Sequence, residues 1–132
     1  MAVRTAVALI VCDDDRTMSV LIVDDHATFR RVARTVLEEA GYLVIGEAAD
    51  GESALKAAAE LAPALVLLDV QLPDLDGFEV ASRLTASPDG PAVVLVSSRD
   101  AAEYGSLIDE CGARGFLPKD ELSGASLEAL LR

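Results

Sequence analysis

The chain has 132 residues, 52% hydrophobic and 4% aromatic with no Trp, the size of one domain whose core must be built from Ala, Val and Leu. Eleven Lys and Arg stand against 23 Asp and Glu, a formal charge of -12 that repels phosphodiesters and argues against nucleic-acid binding by this chain alone. Two cysteines in a chain this long, Cys12 and Cys111, make no disulfide framework and read as reduced thiols of a cytoplasmic protein, and no apolar run approaches the ~20 residues of a membrane span.

Arg4 followed by the apolar run Ala6 to Cys12 imitates a signal peptide. The run is short, Asp13-Asp14-Asp15 follow where small residues should mark cleavage, and Ile10-Val11 is not the small pair expected before a lipidated cysteine, so secretion is not expected. Ala8 to Asp15 (ALIVCDDD) echoes Val20 to His26 (VLIVDDH), but only the second is followed by an amphipathic helix. Residues 1–17 therefore read as an N-terminal extension ahead of one domain over 18–132, with Met18 as a natural start; an extra edge strand is the other reading of the extension.

Ser19 to Val23 is a short β-rich run ending in Asp24-Asp25. From His26 the spacing turns helical, with Phe29, Val32, Ala33, Val36, Leu37 and Ala40 on one face and Gly41 as the stop. Leu43 to Ile45 starts a second strand that reaches toward Ala48, and Asp50 is placed to cap a helix carrying Ala54, Leu55, Ala58 and Leu61 inward. After Pro63, Ala64 to Leu68 is apolar without alternation and ends in Asp69; strands covered on both faces read this way and belong to parallel sheets. The loop from Val70 to Asp76 leads into a helix with Phe78, Ala81 and Leu84. Ala92 to Val96 is again uniformly apolar and ends in Ser97-Ser98. A weaker helix is expected from about Ala101 to Glu110, stopped by Gly112. A fifth strand covers Gly115 to Leu117 before Pro118-Lys119, and a last helix carries Leu122, Leu127, Leu130 and Leu131.

Five strand-helix units with short connections predict an α/β fold, a flavodoxin-like (βα)5 three-layer sandwich around a parallel five-stranded sheet of order 2-1-3-4-5. Sites in such sheets lie beyond the carboxyl ends of the strands, and there stand Asp24, Asp25, Asp69, Ser97 and Lys119. Two like charges ~4 Å apart repel by roughly 4 kcal/mol at an effective dielectric near 20. Three carboxylates together need a cation or raised pKa values. Oxygen ligands on an open, wet edge suit Mg²⁺, with the backbone carbonyl of Gln71 as a further ligand, and Mn²⁺ or Ca²⁺ as substitutes. Lys119 adds a compact positive charge and Ser97 a hydroxyl donor. A carboxylate flanked in this way is suited to accept a phosphoryl group and hold it as an acyl phosphate.

In these residues the chain resembles the receiver domains of two-component response regulators. The likeness is carried by Asp24-Asp25 after strand one, Asp69 after strand three, Pro73 and Asp76-Gly77 in the next loop, Ser97 after strand four, and Phe116 three residues before Lys119. It covers about Ser19 to Arg132. The resemblance implies that Asp24 and Asp25 help hold Mg²⁺ and that Asp69 receives the phosphoryl group from a sensor histidine kinase or phosphotransfer protein. It further implies that Ser97 swings to bond that group, that Phe116 turns inward with it, and that Lys119 contacts a phosphoryl oxygen. The face made by the fourth helix, fifth strand and fifth helix would then change its affinity for an output domain or partner protein, including a phosphorylation-dependent homodimer. Gly115-Phe116-Leu117-Pro118-Lys119-Asp120 is similar to receivers of the NarL/FixJ type, which precede a helix-turn-helix domain. Ser97 replaces the Thr of many receivers and keeps the hydroxyl. Asp120 replaces the Pro that follows the lysine in many of them, so a trans Lys119-Asp120 peptide is expected.

Each residue has a plainer reading. Asp25 could serve only as a helix cap, Asp69 as a turn residue, Phe116 as a core aromatic, and Asp76-Gly77 as turn chemistry. His26 reads as a solvated helix-start residue, and Ser98 and Arg99 as residues that tune a phosphoryl lifetime. Asp74 and Asp76 form no calcium loop, since Leu72 and Arg83 stand where its first and last ligands belong. The chain is thus expected to be a cytoplasmic phosphoacceptor with weak autocatalytic phosphotransfer and not an enzyme in the ordinary sense. The competing functions are a binding module independent of phosphorylation and a phosphatase with an Asp nucleophile. Hydrolases of the haloacid dehalogenase type usually place a second Asp two residues after the nucleophile, where this chain has Gln71.

Overall fold

The computed structural model describes residues 18–131; the expected extension over 1–17, with its acidic run and Cys12, lies outside them. Strands β1 (Ser19–Val23), β2 (Leu43–Ala48), β3 (Leu65–Asp69), β4 (Ala92–Ser97) and β5 (Gly115–Pro118) form one sheet in the order β2-β1-β3-β4-β5. Every pairing is parallel. Helices α1 (Ala27–Glu39), α2 (Gly51–Leu61), α3 (Gly77–Thr85) and α4 (Leu107–Glu110) lie in the crossovers, and α5 (Gly124–Leu131) follows β5. The predicted fold and strand order are those observed.

Alternation along the strands feeds two cores, one on each face of the sheet. Leu21, Val23, Val66, Leu68, Val93 and Leu95 point to the face covered by α2, α3 and the segment around Cys111. Val20, Ile22, Leu65, Leu67, Val94 and Val96 point to the other, with Ala33 and Leu37 of α1 and Leu127 of α5. All five residues of β3 are buried, as its unbroken apolar run predicts for a central strand with helices on both sides. Asp50 caps α2 through its side chain, which accepts the Ser53 N–H at 2.8 Å. The Lys119-Asp120 peptide is trans, since no cis bond occurs among the described residues. Cys111 is a buried free thiol. No described helix is long and apolar enough to cross a membrane.

The structure corrects four expectations. The helix expected from Ala101 to Glu110 is broken into a 3-10 turn, Ala101–Glu103, and the single-turn α4. Gly105 between them takes φ +59°, outside the helical region, and neither Asp100 nor Ser106 caps a helix with its side chain. Val32 lies outside the buried stripe of α1, at 53% exposure, because it sits one residue, about 100°, around the axis from Ala33. Leu61, expected to point inward from α2, is 43% exposed. Leu122 precedes α5 instead of opening it, yet packs on the same core.

Candidate functional site

The sheet register delivers the polar residues to one edge. Asp24 directly follows β1, where its N–H donates to the Ala48 carbonyl at 3.0 Å. Asp69 ends β3 and pairs with Val96, one residue before Ser97 at the end of β4. Ser97 in turn pairs with Pro118, which places Lys119 just beyond β5. Asp24, Asp69 and Ser97 are the buried polar side chains among the described residues. Asp25 and His26 are exposed on the rim.

Asp24, Asp25, His26 and Asp69 each offer a ligand atom, and these atoms lie within 4.8 Å of one another. The Lys119 ammonium stands 2.6 Å from Asp24 Oδ2 and 3.5 Å from Asp69 Oδ2, so it leans toward Asp24. It also lies 4.6 Å from the centre of the Phe29 ring, a cation–π contact that holds it over the site. Although the ammonium is close, it lies off the direction of a hydrogen bond to Asp24 Oδ2, and that buried oxygen has a charge partner but no donor. Asp24 Oδ1 accepts the His26 N–H at 2.8 Å and faces His26 Nδ1 at 3.1 Å, and the same nitrogen is 3.1 Å from Asp25 Oδ1. Asp69 Oδ1 accepts the Gln71 N–H at 3.1 Å.

Burial pushes the Asp69 carboxyl up to about 6, and the charge of Asp24 adds to the rise; the Gln71 N–H and the Lys119 ammonium oppose it. One ammonium facing three carboxylates leaves two negative charges uncompensated when all three ionise. A buried carboxylate oxygen without a donor, beside two further carboxylates, is the donor set of a hard divalent cation. The residues present therefore fit Mg²⁺.

Ser97 does not bond Asp69 here. Its hydroxyl oxygen accepts the Arg99 N–H at 3.0 Å and meets the Tyr104 hydroxyl at 2.8 Å. Phe116 is half-buried, with its ring centre 5.8 Å from that of Tyr104. Four of the five aromatic residues thus gather here: Phe29 on Lys119, and Phe78, Tyr104 and Phe116 as a chain of rings. Sequence reasoning brought Asp24, Asp25, Asp69, Ser97 and Lys119 to this edge and set His26 beside the acids as a solvated residue, but missed Phe29 and Tyr104 as neighbours. The placement of Phe29 on the inner face of α1 was a signal; for Tyr104, in a supposed helix, there was none.

The response regulator receiver domain model matches residues 20–131. The chain is 34% identical to the response regulator GacA of Pseudomonas aeruginosa over 116 residues, 87% of this chain and 52% of that protein. It is 41% identical to the positive alginate biosynthesis regulatory protein of the same organism over 115 residues, 86% of this chain and 46% of the relative. The chain spans about half the length of the curated relatives that it matches. Among solved structures it resembles the signal receiver domain of NarL from Mycobacterium tuberculosis, with a TM-score of 0.77 and 31% identity over 87% of this chain and 97% of that one. CheY4 of Vibrio cholerae follows at TM-score 0.74 and 27% identity, over 87% and 96% of the two chains.

Proposed function

The chain belongs to the response regulator receiver domains, and from that premise we propose that it is a Mg²⁺-dependent phosphorylation switch with Asp69 as its phosphoryl acceptor. The observation that carries this reading is the buried Asp69 carboxylate within reach of both Asp24 and the Lys119 ammonium.

The donor is a phosphohistidine of a sensor histidine kinase or phosphotransfer protein. An Asp69 oxygen attacks phosphorus, the O–P bond forms as the P–N bond breaks, and the departing imidazole takes up a proton. Asp69 must be ionised to attack, and a carboxyl at about 6 is largely so at neutral pH. Asp24, Asp25, Asp69 and the Gln71 carbonyl would hold Mg²⁺, with Mn²⁺ or Ca²⁺ able to use the same oxygens. The ion, when bound, neutralises charge on the transferring group. Lys119, now closest to Asp24, is within reach of the acceptor and supplies the second positive charge to a phosphoryl oxygen. The hydroxyl of Ser97 supplies a donor, and Phe116 follows its movement.

The α4-β5-α5 face then carries the signal to an output domain or partner protein, or to a second copy of the chain. On this reading the protein acts in the cytoplasm as a phosphoacceptor whose only chemistry is its own phosphorylation and dephosphorylation. Its net charge of -12 favours protein partners over nucleic acid. Intact-mass measurement after treatment with acetyl phosphate and Mg²⁺ tests the assignment. About 80 Da, one phosphoryl group, should be added to the wild type and none to Asp69→Ala. Equal gain in both, or gain in neither, refutes it.

A further inference from the structure

Ser97 and Tyr104 stand at the two ends of one loop, and their hydroxyls meet at 2.8 Å. Ser97 is 1% exposed, and its oxygen already accepts the Arg99 N–H. A hydroxyl has one proton to give and two lone pairs, and buried donors are satisfied in folded proteins. Either hydroxyl can donate in this pair, and either way the bond occupies the Ser97 hydroxyl, whose proton goes to the Tyr104 oxygen when Ser97 is the donor. That proton is also the one Ser97 would offer a phosphoryl oxygen on Asp69. Two acceptors compete for one donor.

The Tyr104 ring is placed to connect this competition to the rest of the site. It packs edge-on against Phe78, with ring centres 5.3 Å apart, and tilted against Phe116 at 5.8 Å. Phe78 stands in the first turn of α3, after the loop that leaves Asp69, and Phe116 lies in β5, three residues before Lys119. Tyr104 borders an open surface depression shared with Val70, Leu72, Phe78 and Leu107. Gly105 follows at φ +59°, with nothing packed on it.

We infer that the Tyr104 hydroxyl is a latch on Ser97: a positioning residue that holds the Ser97 proton away from Asp69 until the phosphoryl group outbids it. Release of the latch frees the ring between Phe78 and Phe116, so the state of Asp69 reaches the segment from Ala101 to Glu110. The inference rests on Asp69 being the phosphoryl acceptor.

The test is titration of the full chain with beryllofluoride in the presence of Mg²⁺. Tyr104→Phe keeps the ring and its contacts and removes only the hydroxyl. Its affinity for beryllofluoride should rise about fivefold, the equilibrium equivalent of one ordinary hydrogen bond no longer broken. In a Ser97→Ala background the same substitution should change nothing, because the latch has no partner there. A tyrosine that merely supports the fold would shift both backgrounds alike. That result, or an unchanged or weaker affinity in Tyr104→Phe, overturns the latch and leaves the role of Asp69 standing. Failure of the wild type to bind beryllofluoride removes the acceptor reading and the latch together. A second readout needs no substitution at the latch. The chain has no Trp and two Tyr, so Tyr42→Phe leaves Tyr104 as the sole tyrosine emitter. Its emission should change on saturation with beryllofluoride, and constant emission would contradict release.

Discussion

Asp69 is 3% exposed, has one backbone donor, and shares the Lys119 ammonium with Asp24. Burial first, then the charge of Asp24, raises its carboxyl to about 6. An unfolded Asp titrates near 3.9, so between about pH 4 and pH 6 the native state keeps a proton that the unfolded chain has lost. Stability therefore falls as pH rises through this window, and above it the full cost remains. A gap of about two units corresponds to on the order of 2 kcal/mol for a group this buried. Asp69→Asn keeps the shape and cannot ionise. Chemical unfolding in chelator should find Asp69→Asn more stable than the wild type at pH 7.5, with the difference shrinking toward pH 5. A constant difference across that range would show that Asp69 ionises in the native state as freely as in the unfolded chain. Strand-end residues such as Asp69 were legible in the sequence because topology alone dictates where a strand ends. The preference of Lys119 for Asp24 and the bond from Ser97 to Tyr104 depend on side-chain packing across the fold, which no local pattern encodes.

β3 presents Asp69, and the loop that follows it, from Val70 to Asp76, is fastened in two places. Asp74 accepts the N–H groups of Gly51 at 2.7 Å and Glu52 at 3.0 Å, so it caps α2 from a distant part of the chain. These two bonds, the Gly51 N–H first, hold its carboxyl below the usual range. Where the loop meets α3, the Gly77 N–H donates to the Val70 carbonyl at 2.8 Å, and α3 passes directly against the end of β3. A Cβ on Gly77 would lie 2.5 Å from the Asp69 carbonyl oxygen and 2.6 Å from Val70 Cα, both backbone atoms that cannot turn aside. Gly77→Ala should therefore push α3 off β3 and cost about 1–3 kcal/mol, as overpacking does. A denaturation midpoint equal to that of the wild type would mean that the helix yields freely. All five strands and four of the helices could be read in advance, because buried parallel strands are continuous apolar runs and the helices carry spaced apolar residues, with Asp50 capping α2. The segment from Ala101 to Glu110 could not. A weaker helix was expected there, while the left-handed Gly105 and the inward turn of half-buried Tyr104 interrupt one.

Across the whole molecule, the charge of -12 acts on two scales that different salts separate. The surface pairs Arg83–Glu79, Arg99–Glu103 and Arg34–Glu38 are exposed i,i+4 contacts of little worth each, so diffuse repulsion among the remaining carboxylates persists in the folded state. Any salt relieves that repulsion by screening within about 10 Å at 0.1 M. The cluster of Asp24, Asp25 and Asp69 is different, since ligand atoms within 4.8 Å of one another lie well inside that screening length and two of the three residues are buried. Lys119 offsets one of its charges, and an ion that enters between the carboxylates neutralises the rest. A ligand held by the native state stabilises by RT ln(1 + [L]/Kd), about 1.4 kcal/mol at tenfold above its dissociation constant. At matched ionic strength, MgCl2 should therefore raise the unfolding free energy of the wild type above its value in NaCl. Asp25 is the exposed member of the cluster, so Asp25→Ala removes a ligand without opening the core. In that variant the gain specific to Mg²⁺ should largely vanish, while the gain from NaCl stays the same. If Mg²⁺ stabilised both proteins equally beyond NaCl, the ion would be answering the charge of the whole surface, and the three aspartates would have no special claim on it.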